Sequence, residues 1–193
     1  VTSEIQKVEI ATTGNATNFG DLSSAKQATG SLASSTRGIC AGGAPAINVI
    51  DYIVMASEGG SWDFGDLTRA KRSTCGAGSE TRGLFFGANT PTRYRDIDYI
   101  TIASKGNASE FGELAVDVGS SQGASSDDMG GCSSPIRSFC FGTGGTTNVI
   151  QYVTTATLGN SQDFGDLTQA RTASAGTSSP TRMVIIGGGT GPS

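Results

Sequence analysis

The chain contains no histidine, a single tryptophan and five prolines, and charged residues fill only 16% of its 193 positions. Without histidine there is no Ser-His-Asp or Cys-His nucleophile system and no His-ligated metal. No apolar run approaches the ~18 residues of a membrane-spanning helix, and the opening residues lack the charged-then-apolar pattern of a signal peptide. The net charge of −4 argues against nucleic acid as a main partner. Cys40, Cys75, Cys132 and Cys140 form no Cys-x-x-Cys pair, so zinc and thioredoxin-like readings fail. They read as free thiols used as small core residues. No helical period persists, and 29 glycines are too dense for helices. Apolar residues at 36%, together with the glycines, still suffice for a core, so the chain is not a disordered tail.

What the sequence does contain is a repeat. Phe-Gly-Asp-Leu, or its Glu variant, begins at Phe19, Phe64, Phe111 and Phe164, with spacings of 45, 47 and 53. Such a period marks a solenoid or a propeller. Ile-x-Tyr ends twelve residues before three of these phenylalanines, at Tyr52, Tyr99 and Tyr152, and Lys7 takes that place in the first copy. An arginine follows the motif's leucine by fifteen residues at Arg37, Arg82 and Arg182. In the third copy the gap is 23, ending at Arg137, which places an eight-residue insertion within 115–131.

Each unit reads as four short strands. Ile97–Ser104 alternates and is rich in β-branched and aromatic residues. The Phe-Gly-Asp-Leu strand follows a glycine turn. Then come runs of very small residues at Ala28–Ala33, Ser73–Gly78, Gly130–Ser134 and Thr172–Thr177, and a strand such as Arg182–Gly189 ending in glycines. Four units of four antiparallel strands predict an all-β, four-bladed β-propeller in one domain, with repeat units at about 1–45, 46–92, 93–146 and 147–193. The first copy opens in the third strand type and the last ends after the second. Pairing the N- and C-terminal strands in one blade is therefore expected to close the ring and remove its free edges.

The unit resembles a kelch repeat, through Ala170–Arg171, Gly187–Gly188, Ile50–Tyr52 and Phe64. It differs in blade number, in having Phe where kelch repeats usually carry Trp, and in Gly87-Ala88 where Gly-Gly is usual. The wording of Ile97–Leu114 (IDYITIASKGNASEFGEL) is similar to kelch-like repeats in virion structural proteins of marine tailed bacteriophages, including phages of cyanobacteria. That resemblance implies a non-enzymatic structural and interaction module of a virion, in the tail, its fibres or a capsid decoration. Its partners would be other virion proteins or a host surface glycan, and it would be located in the virion or outside the cell. The alternative is a glycan-binding, lectin-like adhesion domain.

The recurring residues argue against a hydrolase. Asp21, Asp66, Glu113 and Asp166 recur at one repeat position, as do Arg37, Arg82, Arg137 and Arg182. Acid-base catalysis needs carboxylates in different environments, whereas these are equivalent. They read as blade-building residues, acid paired with arginine, and no metal or cofactor is predicted. Function is expected where the repeat breaks its pattern. Three features do so: Arg69, Lys71 and Arg72; the extended loop Thr92–Asp96 with Arg93, Tyr94 and Arg95; and the insertion Val116–Met129 with Asp117, Asp127 and Asp128. All three are expected on one face, as a partner surface. Trp62 is expected near the Gly59-Gly60 turn on the other face, and Asn15 and Asn107 in Asn-rich turns.

Overall fold

In the computed structural model, which describes residues 1–90, 92–115, 129–142 and 147–190, every regular element is a β-strand. Three four-stranded antiparallel sheets follow one another along the chain. The first holds β3 (Gly30–Ala33), β4 (Arg37–Ala41), β5 (Ile47–Val54) and β6 (Trp62–Lys71). The second holds β7 (Cys75–Gly78), β8 (Arg82–Thr90), β9 (Thr92–Thr101) and β10 (Ser109–Glu113). The third holds β11 (Gly130–Ser133), β12 (Arg137–Phe141), β13 (Thr147–Thr154) and β14 (Gln162–Arg171). Each takes two strands from one repeat copy and two from the next. Two-stranded sheets stand at the ends, β1 (Glu4–Lys7) with β2 (Thr17–Asp21), and β15 (Ala175–Ser178) with β16 (Met183–Ile186).

The all-β class and the four strand types agree with the sequence reading. The pairing of β16 with β1 that would close the ring is not among the strand pairs of the described residues, and the two strands belong to separate sheets. Thr92–Asp96, expected as a loop, lies in β9.

Strand alternation explains how the sheets stack. In β8, Leu84 and Phe86 point into a core shared with Phe111, Cys140 and Val153. Phe85 points the other way, into a core with Ile39, Ile50 and Phe64. The middle sheet is thus buried on both faces, which is why Leu84–Phe86 is a continuous apolar run. A third core joins Phe139, Phe141 and Ile150 to Met183 and Ile185 of the last pair. The runs of small residues became β3, β7, β11 and β15, which pack side by side in that order. A Cβ at Gly131 would come within 2.8 Å of Gly76 O, so only glycine permits that approach.

The four cysteines are free thiols. Cys75 and Cys140, on neighbouring sheets, lie 3.6 Å apart in the core. The contact with Cys75, and then burial, push the Cys140 thiol well up; burial pushes Cys132 to about 11. Both are protonated packing groups at neutral pH.

Candidate functional site

Most recurring polar residues build the joints between sheets. Arg37, Arg82 and Arg137 stack on Tyr52, Tyr99 and Tyr152, with guanidinium carbons 4.9, 4.9 and 4.7 Å from the ring centroids. Each tyrosine also meets the motif phenylalanine of its own sheet edge-on, at 5.9, 6.0 and 5.8 Å. Two arginines then reach the next sheet, where Arg37 donates to Ile102 O (2.5 Å) and Arg82 to Thr155 O and Ala156 O (3.1 and 2.8 Å). The expected arginine–acid pairing is thereby corrected: the arginines face rings and carbonyls. Glu113 instead pairs with Arg95, and Asp21 accepts from Ser3. Arg82→Ala is expected to lower stability by about 1–3 kcal/mol in urea unfolding, through the lost stack and two orphaned carbonyls. Arg82→Lys should recover part of it; no change for Arg82→Ala would show the arginine to be dispensable.

The motif strand makes a second joint. Phe19 O and Asp21 O accept from Gly59 N and Ser61 N at 2.8 and 2.7 Å. Phe64 O and Asp66 O accept from Gly106 N and Ala108 N at 2.9 and 2.7 Å, and Phe111 O and Glu113 O from Gly159 N and Ser161 N, both at 2.9 Å. Asn107 and Asn160 add side-chain oxygens that accept from Asp66 N and Glu113 N, each at 3.0 Å. The Asn-rich turn is therefore part of the scaffold.

A third recurring element escaped the sequence reading. Lys26 meets Asp51 at 2.6 Å, and Lys71 meets Asp96 and Asp98 at 2.6 and 3.0 Å, with both lysines buried. Each lysine stands seven residues after a motif phenylalanine, and Asp51 and Asp98 each stand one before a repeat tyrosine. The signal was in the register. Lys71 is therefore removed from the predicted partner surface.

Of the predicted surface residues, Arg69, Arg93, Tyr94 and Arg95 do come together. They line one groove of about 440 Å³ with Thr68, Asp96, Glu110 and Glu113. Residues 69 and 93–95 come from adjacent sheets, β6 and β9. Arg69 lies over the Tyr94 ring at 4.2 Å and 3.3 Å from Asp96; Arg95 pairs with Glu113 at 2.9 Å. The groove is a mixed-charge surface rather than the basic cluster the sequence suggested. Arg72 is half-buried and lies outside it. Asp117, Asp127 and Asp128 fall outside the described residues, and Met129 packs against the core between the second and third sheets. Trp62 opens β6 with 64% of its surface exposed.

In comparisons with known proteins, no family model and no curated protein matches the chain.

Proposed function

We propose that this chain is a non-enzymatic structural and interaction module of a bacteriophage virion, in its tail, fibres or capsid decoration. We read its architecture as kelch-like and propeller-type, three whole blades flanked by the half-blades β1–β2 and β15–β16. The observation that carries the reading is a division of labour. The repeating arginines, asparagines and buried lysines hold sheet to sheet, while the residues that break the repeat gather in the groove of Arg69, Arg93, Tyr94 and Arg95. Paired and alternating charges suit a protein surface that exchanges ion pairs, more than a polyanion.

Arg93→Glu with Arg95→Glu tests it, since both side chains are partly exposed on a strand whose core residues stay untouched. Incorporation of the variant into virions, or its binding to purified virion proteins, should fall about tenfold or more at low salt and less at high salt. Undiminished incorporation at both ionic strengths would overturn the reading. Capture by a glycan array with virion binding unchanged would favour the lectin-like alternative.

A further inference from the structure

The two ends of the array are unlike the middle in one consistent way: each exposes half of a joint that the interior makes in full. At the trailing end, Phe164 is 49% exposed, whereas Phe64 and Phe111, capped by the turns of the next unit, are 2% and 3% exposed. A Cβ at Gly65 or Gly112 would strike the carbonyl of Gly106 or Gly159, while Gly165 has nothing within 4 Å. At the leading end, Gly14-Asn15-Ala16 has the wording of the Gly106-Asn107-Ala108 turn, which donates from Gly106 N and Ala108 N to the sheet before it. Ile10 stands three residues after Lys7, as Ile102 does after Tyr99; Ile10 is 98% exposed and Ile102 1%.

The strand edges match as well. In the whole sheets, Arg37 lies opposite Val54 and Ala41 opposite Ile50; Arg137 lies opposite Thr154 and Phe141 opposite Ile150. The same register sets β16 against β1 with Arg182 opposite Glu9 and Ile186 opposite Ile5. Val184 and Ile186, both exposed, would be covered. The charges agree too. Arg171 occupies the repeat position of Lys71, and Glu4 and Gln6 occupy those of Asp96 and Asp98. Arg171 Nε is buried without a partner among the described residues, while its Nη1 donates to Gly187 O.

Within one chain these halves are not paired with each other. Each is already seated on its neighbour, β15 beside β11 with Ser178 donating to Ser133 O, and β2 under the turn of Gly59. With both seated, β16 and β1 still stand in separate sheets. We propose that they are completed by a second copy of this chain: β15–β16 of one copy and β1–β2 of the next form one four-stranded sheet, with Arg171 meeting Glu4 across the junction. Such a contact is head-to-tail, so it extends into large rings or filaments rather than stopping at a symmetric dimer. It uses different residues from the Arg93 groove, so either idea can fail alone.

Sedimentation of the 193-residue chain over a wide concentration range tests this. The weight-average mass should rise with concentration above 19.5 kDa. Arg171→Glu and Glu4→Arg should each weaken association about tenfold or more, and the double variant R171E/E4R should restore it. Gly165→Ala should also block association, because its Cβ would meet the incoming turn. A 19.5 kDa species at every concentration overturns the proposal. Hydrogen exchange on that species would then tell an edge paired within the chain, with slow amides at Ile5 and Ile186, from an open one. Association indifferent to all four variants would overturn it equally.

Discussion

Gly65→Ala is expected to lower stability by about 3 kcal/mol or more, while Gly165→Ala, at the same repeat position, should have a much smaller effect. Both glycines have a positive φ, +147° and +135°. The strain of placing a side-chain-bearing residue there, roughly 1–2 kcal/mol, is therefore common to the two variants. What differs is the neighbour. A Cβ at Gly65 would overlap the backbone of Gly106 and Asn107, and backbone cannot swing aside as a flexible side chain can. The turn would have to lift, breaking the bonds from Gly106 N to Phe64 O and from Ala108 N to Asp66 O, and uncovering Phe64. Urea unfolding at concentrations where the chain is monomeric makes the comparison. In a thermal melt of the same samples, the fall in Tm should be several degrees larger for Gly65→Ala in a chain of this length. Equal losses would mean that left-handed strain, rather than the sheet-to-sheet joint, is what these glycines serve.

This joint also shows how far the sequence could be read. The four short strands per unit were legible because each has its own composition. The innermost strands sit where chains approach too closely for larger side chains, so their small residues were diagnostic. The landmarks Arg82 and Tyr99 were both visible, but their partnership was not. A diagonal contact depends on cross-strand register: Leu84 lies opposite Tyr99, and Arg82, two residues earlier on the same face, reaches the ring diagonally. Pairing by charge alone matched the arginines with the motif acids, which stand elsewhere.

Lys71 was misplaced for a related reason. Beside Arg69 and Arg72 in the chain it looks like part of a surface cluster; on β6 it shares a face and the Asp96 partner with Arg69, but it stands at the buried end of that face while Arg69 stays exposed. Ring closure was illegible for a different cause. The turn from one sheet to the next is a property of the joints, and repeat spacing carries no information about that angle.

The buried lysine supplies the other large expected effect. Lys71→Met should destabilise the chain by about 3–5 kcal/mol, because it leaves the Asp98 carboxylate buried without its countercharge. Asp98 still accepts from Thr68 N and Oγ1, at 3.1 and 2.8 Å, but these bonds do not supply a unit of positive charge. Asp96 keeps Arg69 at 3.3 Å and is less affected. The sequence already contains a neutral version of the same pair. The third copy has no lysine or arginine from Ala115 through Gly131, and the residue equivalent to Asp98 is Gln151, whose side-chain oxygen accepts from Ser161 Oγ at 2.8 Å. Charge and countercharge are thus lost together, as expected if the interior tolerates both or neither. Combining Lys71→Met with Asp98→Gln should therefore recover more than half of the loss caused by Lys71→Met alone, a coupling of about 2 kcal/mol. Urea unfolding of the wild type, the two single variants and the double variant measures it. If the two losses simply add, the lysine acts through its aliphatic packing, and the buried pair is not what holds the second sheet to the first.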